Sequence, residues 1–434
     1  MSLKVVSAPW VLPGRGDAPG VAAPPIADGA VALDEGRVIA VGPRASVERR
    51  HGPAAPLDAV LLPALVNAHL HLELSHLAGK VPGGDGLAAW IGRVIAARAE
   101  ARADDAPAAM AEAAAALRAA GVAAVGDVSN TLAVLEPLAR AGLCGTVFHE
   151  VLGFTRERFE RYREAARAER GVRPVPRGLR VWESPHSVYS THADALRALL
   201  RAGPGSIHLA EDPAEREFCR DGTGPFRGML EHVLAGTAAR DRASARPGPV
   251  EGRAVVEIDA LRVEGRSAVA AAVQHLGLGP GHLAVHCVDL DAEDLALLAA
   301  SGATAVLCPR SNRHITGLRP PLPALLEAGV PLAVGTDSLA SAPSLAPLAE
   351  LALLRRELPE IPAARLLPIA WNGAAVGAPH VGRLAPGPAP GILAAPLDGA
   401  RPEDPFEFLL GAFGAREPDV RPFTWLALNA LEAE

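Results

Sequence analysis

Eight short apolar runs, closing on polar residues and mostly followed by Ala/Leu/Arg-rich segments of helical period, dominate the sequence between Leu61 and Gly377. They are Leu62–His71, Val122–Val128, Gly145–Glu150, Leu179–Glu183, Ser206–Ala210, Leu283–Cys287, Ala303–Pro309 and Pro331–Asp337. Helical segments fall between most of them, among them Ala108–Ala120, Ala193–Arg201, Ala292–Ala300 and Ser344–Leu358. Strands that are apolar along their whole length must be covered on both faces, the pattern of a parallel sheet under helices. Eight such units in succession predict an α/β chain built as a (β/α)8 TIM-like barrel over residues 61–377.

The flanks read differently. Residues 1–60 and 378–434 alternate short apolar runs with Gly/Pro/Asp turns, as in Gly29-Ala-Val-Ala-Leu33 and Gly391-Ile-Leu-Ala-Ala-Pro396, which predicts short strands and hairpins. The two ends are expected to pair into one small β-sandwich domain beside the barrel. Between Glu211 and His286 the chain is longer than a βα loop and helix require, and an irregular insertion is expected around 233–262, where Ala, Arg, Gly and Pro occur without period.

Composition narrows the function classes. With 43 glycines and 40 prolines in 434 residues and 49% hydrophobic residues, the chain lies below the ~25–30% Gly plus Pro of disordered sequences and can bury a core. A net charge of −7 argues against a nucleic-acid partner, which needs a basic footprint. No apolar run approaches the ~18–20 residues of a membrane helix, and no basic-then-apolar leader pattern opens the chain. The four cysteines, Cys144, Cys219, Cys287 and Cys308, are widely spaced with no CxxC pair, as in a reducing compartment. The expectation is a cytoplasmic protein; a homo-oligomer is allowed but not specified.

The chemistry concentrates at strand ends. In Asn67-Ala-His69-Leu-His71-Leu-Glu73, residues i and i+2 of a strand point the same way, so His69 and His71 face one site at the barrel's C-terminal mouth and can hold one metal ion. Other expected strands end in His208-Leu-Ala-Glu211, His286-Cys287 and Asp337-Ser338, and a further one in Ser184-Pro-His186. Singly, each has a bland reading: a strand-end histidine is often merely hydrogen-bonded, and an aspartate before a helix is often its N-cap. The recurrence of such residues at the ends of strands one, five, six and eight is what carries the signal.

The set resembles the amidohydrolase superfamily, in its cytosine-deaminase/chlorohydrolase-like mononuclear branch, from about Leu61 to Gly377. The carrying motifs are Leu62-Pro-Ala-Leu-Val-Asn-Ala-His-Leu-His-Leu-Glu73, His208-Leu-Ala-Glu211, His286-Cys-Val288, Cys308-Pro-Arg-Ser-Asn312 and Gly335-Thr-Asp-Ser-Leu-Ala-Ser341. The resemblance implies that His69, His71, His208 and Asp337 are metal ligands, and that Glu211 and His286, with Asp337, handle protons. It implies one divalent metal ion, zinc by default; iron suits the same N/O donors. Binuclear relatives often bridge two metals with a carbamylated lysine on strand four. This chain has two lysines, Lys4 and Lys80, and neither lies near Leu179–Glu183, so the one-metal form is expected.

The activity implied by the resemblance is that of an aminohydrolase, in which a metal-activated hydroxide deaminates a purine-like ring while Glu211 protonates a ring nitrogen. His69-Leu-His-Leu-Glu-Leu-Ser-His76 and the segment Glu217-Phe-Cys-Arg-Asp-Gly-Thr-Gly-Pro225 are similar to the aminodeoxyfutalosine deaminases, which implies a 5′-substituted adenosine as the small heterocyclic substrate. Candidate substrate contacts are His186, Glu73, Trp90 and Arg310; against these stand a hydrogen-bonded support (His186), a core side chain (Trp90) and a brace for strand seven (Arg310). Rival readings are a chlorohydrolase or cyclic-amide hydrolase on the same site and, from another class, a non-catalytic metal-binding protein.

Overall fold

The computed structural model describes residues 3–17, 20–102, 105–243, 266–414 and 423–429. The N-terminal segment supplies β1 (Lys4–Val11), β2 (Ile26–Asp34), β3 (Arg37–Pro43), β4 (Ala55–Pro56) and β5 (Ala59–Pro63). The central segment supplies β6 (Leu65–Leu70), β7 (Val122–Ser129), β8 (Cys144–Val151), β9 (Leu179–Pro185), β10 (Gly205–Leu209), β11 (His282–His286), β12 (Thr304–Leu307) and β13 (Leu332–Val334). The C-terminal segment adds β14 (Gly387–Pro388), β15 (Pro390–Pro396) and β16 (Thr424–Asn429).

Each of the eight apolar runs thus contains a strand. Strands β6 to β9 form one parallel four-stranded sheet in sequence order and β10 to β13 a second. Every residue of β6, β7, β8, β10 and β11 is buried, as continuous apolar strands require when both faces are covered. Single parallel bridges link the sheets at both junctions, Ser187 with His208 and Leu70 with Asp337. At the second junction the N–H groups of Thr336 and Asp337 donate to the His69 carbonyl at 2.9 and 3.1 Å.

Three expectations need correction. The run Leu62–His71 is not one strand: its first residues lie in β5, and Ala64 separates these from β6, whose hydrogen bonds run to β7 instead. Cys308-Pro309 does not extend β12; Pro309 opens the helix Pro309–Ile315, where its missing N–H costs nothing. The expected irregular insertion around 233–262 is helical in its first part, as the end of the helix Gly224–Ala243; residues 244–262 lie outside the described residues.

The chain ends do pair. Strands β14, β3, β2, β1, β5, β15 and β16 lie side by side, with β4 alongside β1, in one eight-stranded sheet. Its β5 is buried throughout and sits between β1 and β15. The two segments therefore complete each other's hydrogen bonding, which leaves fewer open strand edges. The C-terminal segment also contributes the helix Pro405–Leu409, where Glu407 accepts from Arg355 Nε at 3.0 Å on the helix Pro347–Glu357.

Candidate active site

The residues singled out by the motifs converge where the parallel strands end. His69 and His71 leave the end of β6, His208 lies within β10, and His286 closes β11. Asp337 follows β13 after Gly335 and Thr336. Gly335 is what lets this segment pass β6: a Cβ built there would stand 2.7 Å from the Cβ of His69 and 2.8 Å from its carbonyl oxygen.

Three donor groups result: His69 with His71 and His208, Glu150 with His186 and the same His208, and Glu211 with His286 and Asp337. His71 Nε2 and His208 Nε2 are 3.1 Å apart. Asp337 Oδ1 lies 3.7 Å from His71 Nε2 and 3.9 Å from His69 Nε2. His208 Nδ1 stands 3.0 Å from the His186 carbonyl; donating there, the ring keeps its lone pair on Nε2, facing the centre. His69 is wholly buried and neither ring nitrogen has a hydrogen-bond partner. An orphaned buried polar atom costs ~1–3 kcal/mol, and a metal ion is what a nitrogen among neutral imidazoles and a carboxylate suits.

Burial and local charge push the two carboxyls of the site in opposite directions and hold several of its imidazoles down. Burial, reinforced by neighbouring histidines, holds His69 and His208 well below the usual imidazole range and brings His186 to about 3. Burial also brings His286 to about 4, against the opposing pull of Asp337. Burial would raise Asp337, but the charges of His71 and His286 and the Ser311 hydroxyl outweigh it and leave the carboxylate below its ordinary value. Ser311 and Ser341 hydroxyls donate to its Oδ2 at 2.5 and 3.0 Å, and the Ser338 N–H to Oδ1 at 2.8 Å. Glu211 goes the other way: burial, then the charges of Asp337, Glu215 and Asp212, raise it well above the carboxylate range. Its Oε2 lies 3.3 Å from His286 Nε2.

The four candidate substrate contacts separate. The His186 ring is against His208 with centroids 4.6 Å apart, and its Nδ1 is 2.6 Å from Ser190 Oγ. Glu73, buried, accepts from Ser129 Oγ and the Asn130 N–H, both at 3.1 Å. Trp90 belongs to a secondary apolar cluster with Tyr189, Phe218 and Phe226. Arg310 is engaged within the protein: Nε donates to Glu350 at 2.6 Å and Nη1 to Ser344 Oγ at 3.0 Å.

Several supporting groups, Asn312 of the Cys308–Asn312 motif apart, were not singled out from the sequence. Asp127, at 0% exposure in β7, accepts the Leu72 N–H at 2.9 Å and so fixes the chain just past His71; burial raises it to about 7. Glu150, next to last in β8, has Oε1 3.9 Å from His208 Nδ1. Glu215, also at 0% exposure, accepts the Glu211 N–H at 3.0 Å. The Asn312 amide nitrogen lies 3.0 Å from His286 Nδ1 and orients that ring. The available signals are a lone charge inside an apolar run for Asp127 and an i+4 carboxyl beyond Glu211 for Glu215.

The geometry and the relatives agree on the class. The amidohydrolase family pattern matches residues 60–410. An aminodeoxyfutalosine deaminase from Deinococcus radiodurans is 32% identical over 340 residues, covering 75% of each chain. A 5-methylthioadenosine/S-adenosylhomocysteine deaminase from Nitratidesulfovibrio vulgaris is 28% identical over 395 residues, 83% of this chain and 78% of the relative. Among solved structures, Helicobacter pylori aminofutalosine deaminase in complex with methylthio-coformycin superposes with a TM-score of 0.77 at 21% identity, covering 98% of this chain and 99% of that one. The chain belongs to the amidohydrolase family and is a hydrolase acting on carbon–nitrogen bonds.

Proposed function

We propose that the chain hydrolytically deaminates the purine-like ring of a 5′-substituted adenosine, an aminodeoxyfutalosine-like nucleoside, at one divalent metal centre. The observation that carries this reading is the convergence of His69, His71, His208 and Asp337 on one centre with Glu211 3.3 Å from His286 beside it; burial and charge push Glu211 up and Asp337 down. A site that must give one proton and take another needs that split. The relatives' activities point to the same reaction class.

His69, His71 and His208 would offer neutral ring nitrogens to the ion and Asp337 a carboxylate, zinc being the default for this donor set and iron the alternative. When bound, such an ion supplies water that ionises near neutral pH. Asp337, with His286 beside it, receives the proton given up by that water. Glu211 donates its own proton to the ring nitrogen next to the carbon under attack, so charge does not accumulate on the ring. The amino group then leaves as ammonia with the proton held at Asp337, while the hydroxyl on the attacked carbon returns a proton to Glu211 and becomes the ring carbonyl. His186, whose ring packs against His208, and Glu73 are assigned to the ribose or base, and Trp90 to a further substrate contact.

The two four-stranded parallel sheets are taken as halves of one (β/α)8 barrel closed through the Ser187–His208 and Leu70–Asp337 bridges, and the sheet of both chain ends as the small β-sandwich of residues 1–60 and 378–434. The same reading makes the chain a cytoplasmic enzyme acting on a small molecule; its four free cysteines are buried, and among the described residues no helix is long and apolar enough to cross a membrane.

A panel of adenosine, 5′-methylthioadenosine and aminodeoxyfutalosine, assayed for ammonia with zinc-loaded protein, tests the reading. Ammonia release with a preference for 5′-substituted members is expected. Zinc-replete protein that releases none from any of the three refutes it.

A further inference from the structure

We propose that a cavity at the opposite end of the second parallel sheet is a binding site for the phosphate group of a small metabolite, held between Arg15 and Arg383. The cavity has a volume of about 460 Å³ and is lined at the N-terminal ends of β11, β12 and β13 by His282, Thr304 and Leu332. His286 and Asp337 lie at or past the far ends of the same sheet, so this cavity is not the catalytic one.

Two Gly-Arg pairs from opposite ends of the chain build its charged wall. Gly14 bridges Arg383, the Arg15 N–H donates to the Gly382 carbonyl at 2.9 Å, and the Leu384 N–H to the Pro13 carbonyl at 2.8 Å. The contact demands glycine: Gly14 has φ +90°, and a Cβ there would stand 2.3 Å from the Gly382 oxygen. Backbone hydrogen bonding thus fixes the arginines at one cavity.

Charge balance is incomplete there. Arg15 is half-buried, and its side chain donates to a neutral group, Asn372 Oδ1, at 3.2 Å. Arg383 pairs at 2.8 Å with Asp17, a side chain 91% exposed. Burial and the charge of Arg383 together lower the Arg15 guanidinium, a repulsion that a bound anion would relieve. The neighbouring His282 takes no part, because its Nε2 lies 2.8 Å from the Leu200 carbonyl and its Nδ1 2.9 Å from the Gly279 nitrogen. Guanidinium forks match phosphate oxygens in pairs, and the cavity falls within the ~300–1,000 Å³ of small-molecule sites, which leaves room for an organic portion beyond the phosphate.

Calorimetric titration of the full chain with orthophosphate and with ribose 5-phosphate, at constant ionic strength, tests this. One saturable site per chain is expected, for which the two ligands compete. Arg15→Gln and Arg383→Gln should each weaken binding at least tenfold, whereas Arg401→Gln, a surface partner of Asp58, should leave it unchanged. Absence of saturable binding overturns the proposal, as does equal binding in the Arg15 and Arg383 variants. If Arg15→Gln does not fold by circular dichroism, the more exposed Arg383→Gln decides alone.

Discussion

The two parallel sheets are built to different specifications. In the first, β6 to β9 run to 6, 8, 8 and 7 residues; in the second, β10 to β13 have 5, 5, 4 and 3. The shorter strands break off into backbone that side chains rarely adopt. Ala210, His286, Cys287 and Asp337 have φ of 52°, 75°, 50° and 56°, conformations that cost ~1–3 kcal/mol each. Among the described residues the only other non-glycine positions with positive φ, Asp28, Glu35 and Asp398, lie in the end-derived segments. The first sheet therefore presents His69 and His71 from unstrained strands, while the second spends backbone strain on turning Glu211, His286 and Asp337 towards them. On the proposed assignment the ligands come from both sheets, His69 and His71 from the first and His208 and Asp337 from the second, whereas the proton-handling Glu211 and His286 belong to the second alone.

That division is open to attack at the site. Removing the metal with dipicolinate should abolish turnover, and zinc should restore it; a metal-free enzyme that keeps its rate would break the comparison outright, since the first sheet would then have no ligands to present. Next in size is Glu211→Gln. General acid catalysis is worth ~10²–10⁴ in rate, so kcat should fall by about that factor while zinc content, measured by elemental analysis, stays that of the parent. Near-parental turnover in a zinc-replete variant would remove Glu211 from the proton path.

Arg310→Ala probes the support of the second sheet. Breaking a buried ion pair by truncating one partner costs ~3–5 kcal/mol, and Glu350, at 0% exposure, would lose the guanidinium that now sits 2.6 Å away. A large fall in denaturant midpoint with little change in KM is expected. A raised KM at unchanged stability would return Arg310 to the substrate.

Much of this was legible in the sequence because it follows from burial and period. Strands covered on both faces must be largely apolar, which is how most of the eight announced themselves; β9, with Arg180 and Trp182 exposed, showed only an interrupted apolar run. His69 and His71 could be paired because alternation along a strand is fixed. The split between β5 and β6 was not legible, since Leu62-Pro-Ala-Leu-Val is equally apolar on both sides of the break and only pairing partners separate the two strands. Asp127 and Glu150 were missed because their partners, the turn after His71 and His208, are distant in sequence, and Glu215 because its tie to the Glu211 N–H exists only once the helix after β10 forms; Asn312 stood in a motif, but its orienting of His286 is a tertiary fact. The engagement of Arg310 by Glu350 and Ser344 is likewise a tertiary fact, with no local pattern to distinguish a brace from a contact.

Glu215 gives the second sheet a pH signature. Burial raises its carboxyl to about 8 from an unperturbed 4.5, so the folded chain keeps a proton that the unfolded chain releases. Stability should accordingly decline as pH rises from about 4.5 towards about 8. Glu215→Gln removes that proton exchange and should flatten the decline in melting temperature over this window; an unaltered slope would show that Glu215 is ionised in the fold.

The smallest effect discriminates the sheets most directly. Ala210 and Ala124 are both buried, but Ala210 has φ 52° and Ala124 lies inside β7. At Ala124, glycine loses ~0.5–1 kcal/mol in chain entropy and ~0.8 kcal/mol of methyl burial, so Ala124→Gly should cost about 1.5 kcal/mol. At Ala210 the same losses are offset by ~1–2 kcal/mol of relieved left-handed strain, and Ala210→Gly should be close to neutral. Equal destabilisation by the two substitutions in urea melts would mean that the turn after β10 stores no strain, and the contrast between the sheets would reduce to strand length alone.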